Sequence, residues 1–168
     1  MEVVLTKLSF TKTVILITVL FSVGSNLYAG EDKLSRKIAI GLGPEWNMNS
    51  HHNFAGATVL SFDYSLPSVP LALGINASSS YNFSQTVVLE ASPFLRWYFP
   101  GSKHTGLFVQ ADAGFTYIME DTDRYPMFMG GLRMGYRLSL GSLFFIEPFA
   151  RGGYPFVFGI GLSAGLRF

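Results

Sequence analysis

The chain has 168 residues, no cysteine, and 12 basic against 11 acidic residues. The lack of cysteine excludes disulfide bonds, a thiol nucleophile and a lipid-attachment cysteine, and the near-zero net charge gives no indication of nucleic-acid binding. Charged residues make up 14% of the chain, against roughly 25% in soluble domains, while aromatic residues reach 15%.

The N-terminal residues predict a secretory signal peptide over residues 1–29. Lys7 and Lys12 precede an uncharged apolar run from Thr13 to Val23. A region of small residues follows this run and ends near Ala29. This run has 11 residues, whereas a membrane-spanning helix needs about 20. An uncleaved signal anchor is the alternative. Residues 30–168 then form a single domain.

Alternation of apolar and polar residues, the pattern of a half-buried β-strand, recurs eight times after residue 36. The predicted strands cover residues 37–48, 57–66, 71–81, 88–99, 107–117, 130–140, 144–153 and 158–168. Turn-rich pieces separate them, which favours a meander of hairpins over a Greek key. No later stretch approaches 18 uninterrupted apolar residues, so a helical membrane protein is excluded.

One face of each predicted strand is apolar, and the other is polar or small. An even number of such strands predicts an all-β fold, an eight-stranded antiparallel up-and-down transmembrane β-barrel. Glycines concentrate on the polar face, which suits the narrow lumen of an eight-stranded barrel. The apolar face carries almost no charge and suits hydrocarbon. A soluble lipocalin-like barrel, with the faces exchanged, is the alternative. Pro93 and Pro148 cannot donate to the ladder, so bulges are expected there.

The polar face places charged residues of both signs in the lumen. Because an isolated buried charge costs far more than a paired one, these residues are expected to form a salt-bridged network that plugs the barrel. The alternative is a narrow, porin-like path for ions or small solutes. Because Phe94, Phe108 and Phe149 face inward, this alternative includes hydrophobic solutes. The predicted network comprises Glu45, Asp63, Glu90, Arg96, Asp112, Arg133, Arg137, Glu147, Arg151 and Arg167.

Aromatic residues of the apolar face lie where membrane interfaces are expected. These residues form two groups, one at each rim of the barrel. With a periplasmic N-terminus, the group that contains Trp46 is extracellular. These predicted girdles contain Trp46, Tyr81, Tyr117 and Tyr154 at one rim, and Tyr64, Trp97, Phe99 and Phe168 at the other.

The segment from Ile38 to Phe168 resembles the small eight-stranded outer-membrane barrels of double-membrane bacteria, the group that contains OmpX, OmpW and the OmpA membrane domain. Every second residue from Phe168 back to Phe156 is apolar. In that family, a terminal strand with this alternation and a final aromatic residue is read by the barrel-assembly machinery. The resemblance implies an outer-membrane location, with lipids and that machinery as partners. It also implies an assembly signal formed by Ile160, Leu162, Leu166 and Phe168.

No enzymatic activity, cofactor or metal is predicted. A lipid-modifying acylhydrolase on this fold would need a serine with a histidine base, and His51, His52 and His104 all lie in connections. The adjacent His51 and His52 lack a third ligand in sequence. The chain is therefore interpreted as a monomer with a structural or cell-surface role and an unidentified surface ligand.

The connection after the fifth predicted strand contains a run of acidic residues. Glu120, Asp121 and Asp123 lie beside Arg124. We interpret this run as a solvated loop, with contact to cation-bridged lipopolysaccharide as the alternative.

Overall fold

The structure, a computed structural model, describes residues 36–50, 53–81, 86–99, 104–120 and 123–168. Each strand pairs with the next along the chain, and the last pairs with the first, so the predicted eight-stranded up-and-down barrel is confirmed. The predicted signal peptide, His51 and His52 lie outside the described residues. The strands are β1 (Ile38–Asn49), β2 (Phe54–Ser65), β3 (Leu71–Tyr81), β4 (Val87–Tyr98), β5 (Gly106–Glu120), β6 (Asp123–Leu140), β7 (Phe144–Tyr154) and β8 (Phe156–Arg167).

The described residues contain no helix of the length and apolar character needed to cross a membrane.

The pairing register gives the barrel a stagger of ten residues. A circuit of inward-facing partners leaves β2 at residue 65 and returns to β2 at residue 55. Eight strands with this stagger tilt by roughly 40° and enclose a lumen that side chains can fill. The circuit runs through Ser65, Ala72, Arg96, Gln110, Arg133, Arg151, Gly159, Asn47 and Ala55.

The inward and outward faces follow the predicted alternation through most of the barrel, as in β2, where every second residue from Ala55 to Ser65 is buried. The start of β8 differs, because Phe156 faces the interior and Val157 is exposed. Met48 pairs with Phe158, but Asn49 pairs with Phe156, so Val157 is an extra residue at a register shift. The prediction of an outward Phe156 is therefore wrong.

The bulges expected at the two strand prolines are not formed. Pro93 pairs with Ile75 in an unbroken β3–β4 register, and Pro148 pairs with Leu162 in an unbroken β7–β8 register. A proline removes one donor from the ladder. The flanking pairs hold the register without an inserted residue.

The β5–β6 hairpin is longer than the sequence pattern predicts. The sequence pattern predicts a connection between residues 117 and 130, but β5 and β6 pair continuously as far as Glu120 and Asp123. Aromatic residues such as Tyr125 and Phe128 favour an extended strand here. Since β7 pairs with β6 only as far as Gly130, this hairpin extends past the β7–β8 hairpin. We call this rim the loop end and the rim at the start of β1 the turn end.

Candidate functional site

The polar face of the alternation brings charged side chains from six strands into the lumen. Nine of the ten predicted network residues come from β1, β2, β4, β5, β6 and β7, and Arg167 lies at the end of β8. Eight of them form ion pairs, grouped in two clusters. The lumen is therefore a column of paired charges along the barrel axis.

Four residues form a closed ring of alternating charge, the lumen quartet of Asp63, Arg96, Arg137 and Glu147. Arg96 donates to both carboxylate oxygens of Glu147 at 2.9 and 3.0 Å, and Arg137 donates to both oxygens of Asp63 at 3.3 and 2.7 Å. The ring closes through Arg137 Nε and Glu147 at 2.7 Å and through Arg96 and Asp63 at 3.7 Å. All four side chains are at most 2% exposed, so the quartet crosses the lumen without solvent access.

Neutral polar groups complete the coordination of Arg96. Its Nε and Nη2 atoms donate to Gln110 Oε1 at 2.8 and 2.6 Å, and Nη1 donates to the hydroxyl of Tyr98 at 3.2 Å. Gln110 in turn donates to Asp112 at 2.8 Å, and Asn76 donates to the same oxygen at 2.7 Å. Asp112 thus joins the quartet through amides and takes part in none of the ion pairs among the described residues.

A second cluster, the loop-end ion-pair chain, comprises Arg133, Glu45, Arg151 and Glu90. Glu45 accepts a hydrogen bond from Arg133 at 3.4 Å, and its Oε1 atom forms an ion pair with Arg151 Nε at 2.9 Å. Arg151 reaches Glu90 at 3.0 Å, and Ser78 donates to Glu90 at 2.7 Å. Glu45 and Arg133 are at most 3% exposed, whereas Arg151 is 12% exposed.

The tenth predicted member, Arg167, is not brought into either cluster. Its Nη1 atom lies 3.4 Å from the Ser139 hydroxyl in an exposed position. The prediction of a common network therefore extends too far along β8, because residue 167 lies at the strand end.

Each deeply buried arginine stacks on an inward-facing phenylalanine. The guanidinium carbons of Arg96, Arg133 and Arg137 lie 4.1, 4.1 and 4.4 Å from the ring centroids of Phe108, Phe149 and Phe145 respectively. Such cation–π contacts strengthen in desolvated surroundings. The rings therefore orient the arginines and fill the lumen, instead of lining an open path for apolar solutes.

A glycine in the neighbouring strand makes room for each of these rings. Each of the three phenylalanines has a glycine as its register partner in one neighbouring strand, and a Cβ atom at that glycine would overlap the ring. The sequence pattern identified the glycines and the phenylalanines as separate features of the inward face. It did not show that they lie directly opposite one another in neighbouring strands. The pairs are Phe108–Gly135, Phe145–Gly165 and Phe149–Gly161.

Above the loop-end ion-pair chain, a cavity of about 470 Å³ opens at the loop end. Ala55, Val88 and Phe156 form its apolar floor, against which Ile118 packs. Ser80 and Glu120 are among the polar lining residues. Sequence analysis missed this cavity, because it required the inward turn of Phe156 and the extension of β5.

At the turn end, His104 connects two turns. Its Nε2 atom lies 3.2 Å from the Val69 carbonyl oxygen, in position to donate, and its ring meets the edge of Tyr98 at 5.6 Å. Burial lowers the pKa of His104. The residue has a φ of 58°, which is uncommon outside glycine.

Most of the eight predicted girdle residues have exposed side chains, while Phe168 is half-buried, and their location at the membrane interfaces stays a prediction. Seven of them are exposed, with Trp46 at 58% and Trp97 at 53%. Of the predicted assembly-signal residues, Ile160 and Leu162 are exposed on the outer face of β8, while Leu166 is only 8% exposed. The other exposed girdle residues are Tyr64, Tyr81, Phe99, Tyr117 and Tyr154.

Within the described segments, no three histidine, aspartate or glutamate side chains are grouped closely enough to hold a metal ion.

No protein-family model and no curated protein sequence matches the chain. Among solved structures, it is similar to the N-terminal β-barrel domain of Pseudomonas aeruginosa OprF, with a TM-score of 0.54, 17% identity, and coverage of 79% of this chain and 98% of that domain. It is also similar to Neisserial surface protein A, with a TM-score of 0.55, 11% identity, and coverage of 77% and 94%.

A de novo designed transmembrane β-barrel is similar as well, with a TM-score of 0.51, 16% identity, and coverage of 80% of this chain and 99% of the design. These likenesses confirm, at the level of the fold, the resemblance to the small eight-stranded outer-membrane barrels. A design can share the fold without any natural role, so function must be argued from the lumen and the rims.

Proposed function

We propose that this chain, which has the fold of the outer-membrane β-barrels, is a monomeric, non-enzymatic outer-membrane protein with a sealed lumen and a structural or cell-surface role. The lumen quartet is the observation that carries this proposal. It links β2, β4, β6 and β7 across the lumen, and its members are almost fully buried. Water and ions then have no path through the ring unless several buried ion pairs separate.

The outer surface supports insertion in a bilayer. Exposed leucine, isoleucine and phenylalanine side chains cover the barrel wall, an apolar surface far larger than soluble monomers carry. A closed barrel leaves no unpaired strand edge in hydrocarbon. We infer export through the predicted signal peptide and insertion by the barrel-assembly machinery, with Phe168 as the end of the assembly signal.

Single-channel conductance in a planar bilayer tests the seal. We expect the refolded wild type to be silent and the Arg96→Ala, Arg137→Ala variant to open discretely, because the substitution removes both cations of the lumen quartet. The matched control is Arg124→Ala, Arg167→Ala, which removes the same charge outside both clusters and should stay silent. Discrete openings in the wild type would contradict the seal.

The rival function is a narrow channel for ions or small solutes. It is favoured by the two clusters of charged side chains inside the lumen, which could rearrange under a transmembrane potential. Wild-type openings whose amplitude changes in the Arg96→Ala, Arg137→Ala variant would establish this rival. Release of acyl chains from outer-membrane lipids by the wild type would instead overturn the non-enzymatic assignment.

A further inference from the structure

We propose that the loop-end cavity binds small organic cations whose apolar body carries a hydrogen-bonding group, such as a hydroxylated aliphatic amine. The cavity, its unpartnered hydroxyl and its acidic rim carry this inference. It goes beyond the sealed-lumen role, since the ligand would enter from the loop end and stop above the loop-end ion-pair chain.

The floor of the cavity fits an apolar body. Ala55, Val88 and Phe156 are at most 8% exposed and form one cluster with Ile118. The volume of about 470 Å³ lies in the range of small-molecule sites, which are mostly apolar with a few placed polar groups.

Ser80 supplies a buried hydrogen-bonding group without a partner. The residue is 0% exposed and lines the cavity, and its hydroxyl oxygen makes no hydrogen bond to any described group. Leaving a buried hydroxyl unpaired is unfavourable. A ligand hydroxyl or amide on the cavity floor would satisfy it.

The rim of the cavity favours a positive charge. Glu120 lines the cavity and pairs directly across the hairpin with Asp123, and like charges in directly opposite positions destabilise a strand pair. A bound ammonium group would relieve this repulsion. The neighbouring Arg124 pairs with Met119 on the other face of the hairpin, and Arg151 below the floor is already paired with two glutamates.

Four probes that share a cyclohexyl body separate the possible ligand classes. They are 4-(aminomethyl)cyclohexanol, cyclohexylmethylamine, cyclohexylmethanol and cyclohexanecarboxylate. Titration of the full chain in zwitterionic lipid nanodiscs, followed through the methyl NMR signals of Val88 and Ile118, reports binding in the cavity and not partition into lipid. We expect saturable shifts with the first probe, weaker binding of the second and third, and none of the carboxylate.

Variants assign the contacts. The Glu120→Gln, Asp123→Asn variant should bind both amines about fivefold or more weakly, since exposed charge pairs each contribute modestly, while its affinity for cyclohexylmethanol stays the same. Ser80→Ala should abolish the preference for the hydroxylated amine over cyclohexylmethylamine. Val88→Phe fills the cavity and should abolish binding, whereas Val87→Phe, on the adjacent outward position, should not.

Two results would overturn the proposal. One is the absence of saturable shifts with the hydroxylated amine in wild-type protein that is folded by heat-modifiability on gels. The other is carboxylate binding as tight as amine binding. If Val88→Phe fails to fold, the acidic-rim and Ser80 variants decide the outcome by themselves. Because conductance does not enter these readouts, failure of the sealed lumen and failure of the cavity site remain distinguishable.

Discussion

Phe149 in β7 and Gly161 in β8 are register partners, and the ring of Phe149 occupies the space that a Cβ atom at residue 161 would need. The guanidinium carbon of Arg133 lies over the same ring, 4.1 Å from the ring centroid. A glycine in the barrel wall therefore determines where an arginine of the lumen lies. Aromatic rings packed over strand glycines stabilise sheets in this way.

Substitution of this glycine should therefore destabilise the barrel. We expect Gly161→Ala to lower the free energy of unfolding by about 1–3 kcal/mol, the usual effect of overpacking. Urea titration in lipid vesicles measures it. The control is Gly56→Ala, where a Cβ atom would meet nothing within 4 Å and stability should change by less than about 0.5 kcal/mol. Equal losses for the two variants would show that Phe149 does not need the glycine.

Removal of one member of the lumen quartet should cost more. Arg137→Met leaves Asp63 and Glu147 with Arg96 alone, and loss of one partner of a buried pair typically costs about 3–5 kcal/mol. Arg167→Met, at a half-buried position outside both clusters, should cost less than about 1 kcal/mol. In the double variant Arg137→Met, Asp63→Asn, the combined loss should be smaller than the sum of the single losses. Additive losses would mean that the two residues do not interact.

For most strand residues, the sequence predicts correctly whether the side chain points into the lumen or outward, because hydrocarbon tolerates so few charges. A shift of one position in β6 would turn Arg133 and Arg137 outward at about 2–4 kcal/mol each near the midplane. The partners of these arginines could not be predicted, because Asp63 and Arg137 are 74 residues apart and meet only through the ten-residue stagger. That stagger is a property of the closed barrel and of no single strand.

The errors of the sequence interpretation fall at the rims, where lipid no longer constrains the chain. The β5–β6 hairpin continues past Tyr117 into a segment that alternates weakly and carries Glu120 and Asp123. The inserted Val157 turns Phe156 inward, and a single extra residue leaves no periodic signal. The loop-end cavity depends on both features, so it could be seen only in the folded chain.

The two tryptophans test the membrane boundaries, since the chain contains only Trp46 and Trp97. In the single-tryptophan variants Trp46→Phe and Trp97→Phe, lipids brominated near the headgroup should quench the remaining fluorescence more strongly than lipids brominated at the chain ends, because indole rings favour the interface. Ala111→Trp in a background without the other two tryptophans is the control. It lies outward at mid-strand and should show the reverse order. Deep quenching of Trp97 would remove it from the girdle.

The terminal residue tests the assembly signal. We expect Phe168→Ala to lower the amount of folded barrel in the outer membrane of a double-membrane bacterium several-fold, while refolding of the purified chain in detergent keeps its yield. The difference separates recognition by the assembly machinery from intrinsic stability. Phe158→Ala, at an exposed phenylalanine within β8, should leave the cellular level of folded barrel near that of the wild type. Equal effects of the two substitutions would contradict a signal at the end of the chain.

His104 gives the turn end a dependence on pH. Because burial lowers its pKa in the folded state from an ordinary value near 6.5, the unfolded chain takes up the proton first as the pH falls. The stabilising contribution is therefore complete above about pH 6.5 and decreases toward the lower pKa of the folded protein. His104→Asn removes the titrating ring, and asparagine tolerates the φ of 58° at this position. Urea midpoints measured between pH 8 and pH 5.5 should fall for the wild type and change less for this variant, and parallel curves would exclude His104 as the titrating group.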